Sequence, residues 1–564
     1  MRIVIWLFSL LFTQQLYAQK EDHQWLFGFL IDETWESEWL ADTTWGASTI
    51  DFNYSPPKIY YDSTRIIDFS GANASFSDSN GNLLLYTNGQ AVYNSLSNIL
   101  VDSINYGTYW ENWVVNYYGN SVYTGLPIIQ SSIILNIEST YYVFNHFYDD
   151  FNFSNILTFS TIHEKDGVLE QVTKDEIIPN SPSIGRSRFN AVRHGNGRDW
   201  WLITSGLKNG DYHVFLLDET GVHFHQDFIF ENNDNRTGGI GQLVSSPKGN
   251  KVAVVNNHDA QGNNGVFVAF MNFDRCSGVL SGFEYETISA HNITSGIAFS
   301  QDGNLVYACN GNFMYQYETL ESDVIYSRMT VAIHDGFNYF YPPDTTFGFS
   351  TAFSYMGLAP DGKIYVASAS GSNRLLSRIE YPNKKGMECD VNQHSVAIPT
   401  SYANTMPNFP NFRLGPLDGS ECDSLGIDNI PVAKFRCEQD SSDSFEYHFV
   451  DLSYFEPENW IYSINGEENN EKDISYTFPS TGTYEICLEV SNENGVDSFC
   501  KSIVIGIVNS VEERIEYVEF INVYPNPFKD EITISFHDYF PIKSEIICYD
   551  IEGRIVSKLS LIHI

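Results

Sequence analysis

The chain has 564 residues, which is enough for several domains with hydrophobic cores of their own. Its formal net charge is -40 at pH 7, and a surface this acidic repels phosphate backbones, so nucleic acid is excluded as a partner. Aromatic residues make up 15% of the chain and charged residues only 18%, a composition that favours strands. No long stretch shows the period of an amphipathic helix, so we predict an all-β protein.

Residues 1–18 have the pattern of a secretory signal peptide. Arg2 supplies a positive start, Ile3 to Phe12 are apolar, and Ala18 is a small residue at the predicted cleavage position. This apolar run is too short to cross a bilayer, and no other segment is apolar enough. We therefore expect an exported protein without a transmembrane segment, in which disulfides between the eight cysteines are permitted.

Turns marked by glycine recur between pairs of apolar runs, and Asp or Asn stands beside each glycine to bond back to the turn backbone. The marked glycines are Gly81, Gly249, Gly303 and Gly362. The last three are 54 and 59 residues apart, and the first two are 168 residues apart, or three similar steps. The same step predicts unmarked copies near positions 137 and 193, which makes six units between about residues 72 and 398.

A unit of about 55 residues with three or four short strands cannot bury its faces alone, and a radial β-propeller lets neighbouring sheets cover one another. We predict that the ring is closed by Asn408 to Arg413, which would join the runs at Trp25 to Leu30 and Ser48 to Asn53 in a composite blade. Six units and this blade predict a seven-bladed propeller over residues 24–416. Six and eight blades remain open, because two units are assigned by spacing alone.

Residues 417–431 read as a polar linker, and residues 432–507 show the short alternating strands of a small sandwich. Part of this region resembles the polycystic-kidney-disease (PKD) repeat, and the resemblance implies an immunoglobulin-like domain. The matching features are a Tyr-Thr-Phe strand from Tyr476, Gly482-Thr483-Tyr484, the strand ICLEV, Ser491-Asn492 before a glycine turn, and Trp460 at the position of the family's core tryptophan.

The cysteine spacing predicts disulfides rather than a zinc site, because no CxxC pair is present. Cys487 and Cys500 flank a hairpin turn at Ser491 to Gly495, so we predict that they face each other across two strands. Nearness in sequence predicts two further pairs, Cys276 with Cys309 and Cys389 with Cys422.

Residues 508–520 read as a charged linker, and residues 521–564 contain two specific motifs. Tyr524, Pro525, Asn526 and Pro527 precede an alternating strand, and Asp550, Gly553 and Arg554 form a D-x-x-G-R turn. These motifs closely resemble the type A C-terminal sorting domain of the type IX secretion system of Bacteroidetes. The resemblance implies the secretion machinery as a partner and export across the outer membrane. Members of that family usually continue through one or two more strands, so we expect an incomplete domain here.

The propeller region resembles an uncharacterised group of Bacteroidetes surface propellers, a resemblance that implies the fold and brings no known reaction with it. The matching stretches are SDSNGNLLLYTNG, LPIIQSSII, NFDRCSGVLS and MPNFPNFRLGPLDGSECDSLG.

No HExxH, GxSxG or Walker motif is present, so we assign no catalytic or cofactor-binding residue. His223 and His225 alternate along a predicted strand and can supply two metal ligands, although a half-exposed pair without metal is the commoner case. Asp149-Asp150 and Asp32-Glu33 offer the oxygen ligands that calcium prefers, but without a full ligand loop. The metal therefore stays unassigned, with calcium as the candidate.

Three arginines lie close together in an otherwise acidic chain and can grip a carboxylate, although salt bridges between blades are their commoner role. They are Arg186, Arg188 and Arg193.

The leading hypothesis is a non-enzymatic binding or adhesion protein at the cell surface, with a propeller face that binds an extracellular glycan or protein and the PKD-like domain as a spacer. One alternative is a propeller-based polysaccharide lyase or glycosidase, which paired carboxylates about 5 to 10 Å apart would favour. A second alternative is a structural component of a gliding or matrix layer, which predicts no ligand pocket. Fold alone does not separate these hypotheses, because function depends on the site.

Overall fold

The computed structural model is all-β in its described parts, where the only helices are two short 3-10 turns at Ile325–Ser327 and Gly386–Cys389. It describes residues 19–29, 46–65, 67–104, 125–148, 155–232, 238–258, 265–289, 294–340, 348–440 and 442–506, and four strands between 521 and 561. The predicted signal peptide at 1–18 lies outside these ranges, as do Asp32, Glu33, Asp149 and Asp150.

Seven antiparallel sheets follow one another over residues 24–402, and in each the strands pair in chain order. Sheet 1 has three strands: β1 (Gln24–Phe29), β2 (Gly46–Asp51) and β3 (Lys58–Tyr61). Sheet 2 contains β4 (Ala74–Ser77), β5 (Leu83–Thr87), β6 (Val92–Asn94) and β7 (Ile99–Val101). Sheet 3 contains β8 (Ser132–Ile137), β9 (Thr140–Tyr148), β10 (Asn155–Lys165) and β11 (Val168–Ile177). Sheet 4 contains β12 (Phe189–Arg193), β13 (Trp200–Ser205), β14 (Asp211–Asp218) and β15 (Gly221–Ile229).

The remaining three sheets also have four strands each. Sheet 5 contains β16 (Gly238–Ser245), β17 (Lys251–His258), β18 (Gly265–Asp274) and β19 (Val279–Ser289). Sheet 6 contains β20 (Ile297–Phe299), β21 (Leu305–Cys309), β22 (Phe313–Glu318) and β23 (Met329–Ile333). A separate hairpin, β24 (Asn338–Phe340) and β25 (Gly348–Ser350), precedes sheet 7. Sheet 7 contains β26 (Phe353–Leu358), β27 (Ile364–Ser368), β28 (Asn373–Ile379) and β29 (Val391–Tyr402).

Each of the six predicted repeat units begins with a hairpin between the first two strands of a four-stranded sheet. The turn of sheet 6 shows why the sequence folds this way: Gly303 has a φ of +74°, which a residue without a Cβ adopts without strain. Beside it, the Asp302 carboxylate accepts hydrogen bonds from Ser300 Oγ and from the backbone N–H of Asn304. The two unmarked copies near 137 and 193 form the β8–β9 and β12–β13 hairpins.

The sheets pack face to face in chain order. On β17 of sheet 5, Val254 packs in a hydrophobic cluster with residues of sheet 4, and the next residue, Val255, packs in a cluster with residues of sheet 6. Because side chains alternate between the two faces of a strand, a strand covered on both faces is apolar at successive positions. Further clusters join sheets 1 and 2, sheets 2 to 4, and sheets 6 and 7. A last cluster packs Tyr365 and Ile398 of sheet 7 against Trp25 and Phe27 of sheet 1.

The first strands of the sheets meet through buried amide side chains. Gln242 of β16 accepts hydrogen bonds from the N–H groups of Ile297 at 3.1 Å and Met356 at 2.9 Å, which belong to β20 and β26. Gln130, just before β8, exchanges two hydrogen bonds with the backbone of Leu243. These contacts bring the first strands of sheets 3, 5, 6 and 7 to one central region.

The segment from 403 to 416 lies in this central region. Asn408 donates through Nδ2 to the carbonyls of Ser132 and Phe189, at the amino ends of β8 and β12. The predicted composite strand at Asn408 to Arg413 is not formed, because no residue of it belongs to a strand. Pro407 and Pro410 lack the N–H groups that a ladder needs. The segment nevertheless lies beside β1, where the ring of Phe409 stacks on Trp25 with centroids 6.3 Å apart.

Two facing sheets follow at residues 435–505, packed over a buried cluster that includes Phe449, Tyr462 and Leu488. We call these residues the two-sheet unit. One sheet has the order β30-β31-β34 and the other β33-β32-β35-β36. The strands are β30 (Phe435–Gln439), β31 (Glu446–Asp451), β32 (Asn459–Ile464), β33 (Glu467–Asn469), β34 (Ile474–Thr477), β35 (Gly482–Asn492) and β36 (Gly495–Ile505).

Two antiparallel hairpins lie near the end of the chain. Their strands are β37 (Ile521–Tyr524), β38 (Thr533–Phe536), β39 (Ser544–Tyr549) and β40 (Ile555–Leu561). Tyr524 of the predicted sorting motif ends β37. The other motif residues, Pro525, Asn526, Pro527, Asp550, Gly553 and Arg554, lie outside the described residues.

The disulfides differ in part from the prediction. Cys487 and Cys500 are bonded across β35 and β36, where they are direct partners in the register. Cys276 is bonded to Cys422, which is 146 residues away in the sequence. The predicted pairs of Cys276 with Cys309 and of Cys389 with Cys422 are therefore wrong. Cys309 and Cys389 are instead free thiols, both packed in the cluster between sheets 6 and 7.

Candidate functional site

A cavity of about 1170 Å³ lies between the central region of the seven sheets and the two-sheet unit. Its upper wall is formed by the carboxyl ends of β16, β20 and β26 and the turns that follow them, with the central segment 403–416. Its lower wall is formed by the loops of the two-sheet unit around Tyr454, Trp460 and Asn494. A site between two domains, with aromatic rings and a few polar groups, is a common setting for ligand binding.

The upper wall contains a buried ion pair. Arg413 of the central segment donates through Nη1 to Asp22 Oδ2 at 2.7 Å, and its Nη2 also contacts this carboxylate. Burial, the largest single influence, would raise the pKa of Asp22, but the charge and hydrogen bonds of Arg413 and the charge of Lys434 together outweigh it and hold this pKa below its ordinary value. Asp22 is therefore ionised and paired at neutral pH.

The lower wall contains a strained loop. Phe455 and Glu456 have φ values of +64° and +52°, a region that side chains other than Gly and Asn rarely occupy. Residues in such conformations cost about 1–3 kcal/mol each, and they cluster at ligand-binding and active sites. The loop leads to Trp460, whose ring lies 5.4 Å from the ammonium of Lys472. The Lys472 ammonium in turn is 3.8 Å from the Asp451 carboxylate, whose pKa burial raises.

The two-sheet unit is held against the seven sheets by charged and polar side chains. Arg436 donates to the backbone carbonyl of Asp361 at 2.7 Å, and Gln301 donates to the carbonyl of Asp451 at 3.0 Å. Lys363 of sheet 7 forms ion pairs with Glu380 of the same sheet and with Glu438 of the unit. These contacts are partly buried, so the two-sheet unit is docked against the seven sheets.

The predicted linker at 417–431 adds to this docking. The Cys276–Cys422 disulfide ties it to the β18–β19 turn, and the N–H of Leu417 donates to the carbonyl of Gly195 at 2.8 Å. Just beyond it, the half-buried Lys434 donates through Nζ to the carbonyl of Pro360 at 3.3 Å. Burial, with a contribution from the Arg413 charge, lowers the pKa of Lys434 to about 7.

His223 and His225 lie on the exposed face of β15 but are held apart by different partners. His223 Nε2 is hydrogen-bonded to Thr220 Oγ1 at 2.8 Å, and His225 Nε2 to the carbonyl of Ser277 at 3.0 Å. In the part of the chain that the structure describes, no group of three or more His, Cys, Asp or Glu side chains is placed to hold a metal ion.

The three arginines do not form one cluster. Arg188 precedes the amino end of β12 and Arg193 is the last residue of that strand, so they lie at its opposite ends. The Arg193 guanidinium stacks 3.7 Å above the Trp200 ring and donates to the carbonyl of Arg198. Arg188 is fully buried, and Arg186 is only half-buried.

Sequence reasoning missed several residues of these sites. The resemblance to the PKD repeat places Trp460 in a core, not at a cavity, and no sequence pattern singles out Lys434. The single signal that pointed near the cavity was the aromatic, proline-rich run at 405–416.

Comparison with known proteins identifies one family. Residues 522–563 match the model of the secretion system C-terminal sorting domain. The chain therefore carries a type IX sorting domain, which interacts with the secretion machinery and directs export across the outer membrane to the cell surface or the extracellular space. No curated protein matches the chain. Among the described residues, none forms a helix long and apolar enough to cross a membrane.

Three solved structures illustrate what the chain is similar to. The PKD1 domain from Vibrio cholerae metalloprotease PrtV is 17% identical over 14% of this chain and 96% of its own, with a TM-score of 0.13. A putative 6-phosphogluconolactonase from Bacteroides uniformis is 12% identical over 68% of this chain and 98% of its own, with a TM-score of 0.36. The extracellular domain of the putative hybrid two component system BT4673 from B. thetaiotaomicron is 10% identical over 83% of this chain and 61% of its own, with a TM-score of 0.29.

Proposed function

We propose that this protein is a non-enzymatic binding or adhesion protein of the cell surface, in which a seven-bladed β-propeller and a docked PKD-like domain together bind an extracellular glycan or protein. The cavity between these two parts is the binding site. Export by the type IX machinery gives this site access to ligands outside the cell.

The order in which the sheets pack supports the propeller. Each sheet shares a hydrophobic cluster with the next, and the cluster around Trp25 and Tyr365 joins the seventh sheet to the first. Seven blades then follow from the seven sheets, with the three-stranded sheet 1 as the blade where the ends meet. The central segment supports closure, because Phe409 contacts sheet 1 while Asn408 contacts sheets 3 and 4.

The PKD-like assignment rests on the residues around Trp460 and Tyr484. Trp460 packs against the core cluster of the two-sheet unit, as the resemblance to that repeat implies, and it also lines the cavity. The PKD-like domain supplies one wall of the proposed site.

The observation that carries the binding function is the lining of the cavity. Trp25, Phe409 and Trp460 bring aromatic rings to both walls, and rings of this kind stack on sugars and on apolar side chains. The two buried carboxylates among its lining residues, Asp22 and Asp451, each face a cation, Arg413 and Lys472. A carboxylate kept ionised by an arginine, as Asp22 is, suits recognition better than the proton transfers of a lyase or glycosidase.

A glycan array and a panel of extracellular proteins, probed with the full exported chain, test this function. We expect binding without turnover, and Trp460→Ala should weaken it about tenfold or more, since aromatic anchors dominate many interfaces. Tyr326→Ala is the matched control, because Tyr326 is 89% exposed and lies outside the cavity lining. Release of oligosaccharides from any bound glycan would contradict the proposal in favour of an enzyme.

A further inference from the structure

The charged residues that line the cavity do not balance one another. Eight of them are acidic and three are basic. Two of the three cations are already paired with acidic groups of the cavity itself, because Arg413 contacts Asp22 and Lys472 contacts Asp451. Six carboxylates and the ammonium of Lys248 remain, so the cavity presents a net negative charge to any ligand that enters it.

Three of these six carboxylates lie on two adjoining loops of the lower wall. Glu456 and Glu458 belong to the loop between β31 and β32, and Glu493 belongs to the turn between β35 and β36. The N–H of Glu458 donates to the carbonyl of Ser491 at 2.9 Å, which holds the loop against the end of β35. Asn492 Nδ2 adds a hydrogen bond to the carbonyl of Glu456 at 3.3 Å.

The side chains of these three glutamates are all exposed. Among the residues that the structure describes, their carboxylates form no hydrogen bond and no ion pair. A ligand in the cavity can therefore reach three adjacent negative charges that no side chain of the protein neutralises.

An aromatic ring accompanies these charges. Trp460 is half-buried on β32, two positions after Glu458, and lines the same wall. The face of an aromatic ring attracts cations, and tryptophan attracts them most strongly. The Lys472 ammonium already lies 5.4 Å from the centre of this ring, so the surroundings of Trp460 accept a positive charge. Carboxylates and a tryptophan on one wall together suit the side chains of lysine and arginine.

The size of the cavity indicates a polymer as its ligand. Its volume of about 1170 Å³ exceeds the roughly 300–1,000 Å³ of sites that enclose a small molecule. Most sugars carry hydroxyls, carboxylates or sulfates and no positive charge, whereas lysine and arginine place such charges on a polypeptide. Like charges that meet across an interface are unfavourable, so acidic glycans and acidic peptides do not suit this wall.

We propose that the cavity binds a basic segment of an extracellular polypeptide, with lysine or arginine side chains at Glu456, Glu458 and Glu493 and apolar side chains on the aromatic rings. This inference rests on the proposed function and names the ligand class of that same site. A neutral glycan would stack on the rings but would leave the carboxylates without a partner. The negative wall also attracts a basic segment before contact, which speeds association at low ionic strength.

The test begins with an array of random short peptides, probed with the full exported chain. We expect the bound peptides to be rich in lysine and arginine and poor in aspartate and glutamate. The strongest binder is then titrated by calorimetry beside an analogue in which citrulline replaces arginine and norleucine replaces lysine, so that the charge is removed and the shape is largely kept. The charged peptide should bind at least about tenfold more tightly, and added salt should reduce the difference.

A triple variant of the lower wall should weaken binding of the charged peptide about tenfold. Its changes are Glu456→Gln, Glu458→Gln and Glu493→Gln. The matched control changes the net charge equally, at three exposed glutamates of the two-sheet unit that do not line the cavity: Glu467, Glu468 and Glu489. An equal loss in both triple variants would indicate non-specific attraction to an acidic surface and would overturn the proposal.

The proposal is also overturned if no peptide binds, if the bound peptides are not enriched in lysine and arginine, or if the neutral analogue binds equally well. In these cases, binding of a neutral glycan that Trp460→Ala abolishes would leave the proposed function standing, with only the ligand class wrong. If basic peptides bind equally well to Trp460→Ala, they bind outside the cavity, and the proposed site itself fails.

Discussion

Arg413 and Asp22 form a buried ion pair across 391 residues of sequence, with Nη1 and Oδ2 2.7 Å apart. Asp22 lies just before the first strand of sheet 1, and Arg413 lies beyond the last strand of sheet 7. The pair therefore joins the two ends of the seven-sheet region directly at the wall of the cavity. The Asp22 side chain is 8% exposed and the Arg413 side chain 16%, so little water competes for either charge.

Removing one partner of this pair should destabilise the protein strongly. We expect Arg413→Leu to lower the free energy of unfolding of the seven-sheet region by about 3–5 kcal/mol, since it leaves the Asp22 charge buried and uncompensated. Urea titration measures this change. Arg328→Gln, which breaks the half-exposed pair with Glu286, should cost no more than about 1 kcal/mol. Equal effects of the two variants would contradict the role of Arg413 in joining the two ends of the seven-sheet region.

The Cys276–Cys422 disulfide should hold the two-sheet unit against the sheets. Replacing both cysteines with serine removes a link across 146 residues, and we expect a loss of about 2–4 kcal/mol and faster proteolysis within 417–431. The matched control replaces Cys487 and Cys500, which close a single hairpin of the unit. That variant should leave the rate of cleavage in the linker unchanged. An unchanged rate in the Cys276/Cys422 variant would show that docking does not depend on this disulfide.

Lys434 should make the stability depend on pH. Its pKa is lowered from 10.5 to about 7, so between these values the unfolded chain binds more protons than the folded one. Stability contributed by this group therefore rises as pH rises from about 7 to 10.5, and below pH 7 the cost of burying the ammonium is fully present. Lys434→Met removes this cost.

We accordingly expect Lys434→Met to be more stable than the unmodified chain at pH 7, with a gain that shrinks toward pH 10. Urea titrations at several pH values measure this difference. Lys472→Met, at a lysine that is 54% exposed, is the control for the replacement of a lysine by methionine. If the gain in stability of Lys434→Met is constant or grows with pH, the pKa of Lys434 is not lowered in the folded protein.

The strained loop at Phe455 and Glu456 should be stabilised by glycine. Glu456 has a φ of +52°, so Glu456→Gly should relieve about 1 kcal/mol of strain and raise the temperature of unfolding. Glu458→Gly is the matched control, because Glu458 is equally exposed and is not among the residues with positive φ. Glu458→Gly should destabilise the protein by about 0.5–1 kcal/mol. If Glu456→Gly destabilises it by the same amount, the loop stores no strain.

The sequence by itself determined the features whose causes lie within a few residues of one another. Turn chemistry around Gly303 and its counterparts specifies hairpins, and two cysteines on either side of one turn face each other across it. The sorting domain was recognisable for the same reason, since its motifs are short and contiguous.

Only the tertiary structure decided which distant groups meet. Cys276 is bonded to Cys422 and not to Cys309, which is nearer in the sequence. The proline-rich central segment lies beside β1 without forming a strand. Arg188 and Arg193, five positions apart, were separated because the strand between them carries them to opposite ends of a sheet. These outcomes depend on how seven sheets and a docked unit pack together. Such packing is a sum over many long-range contacts, and no local pattern in the chain encodes it.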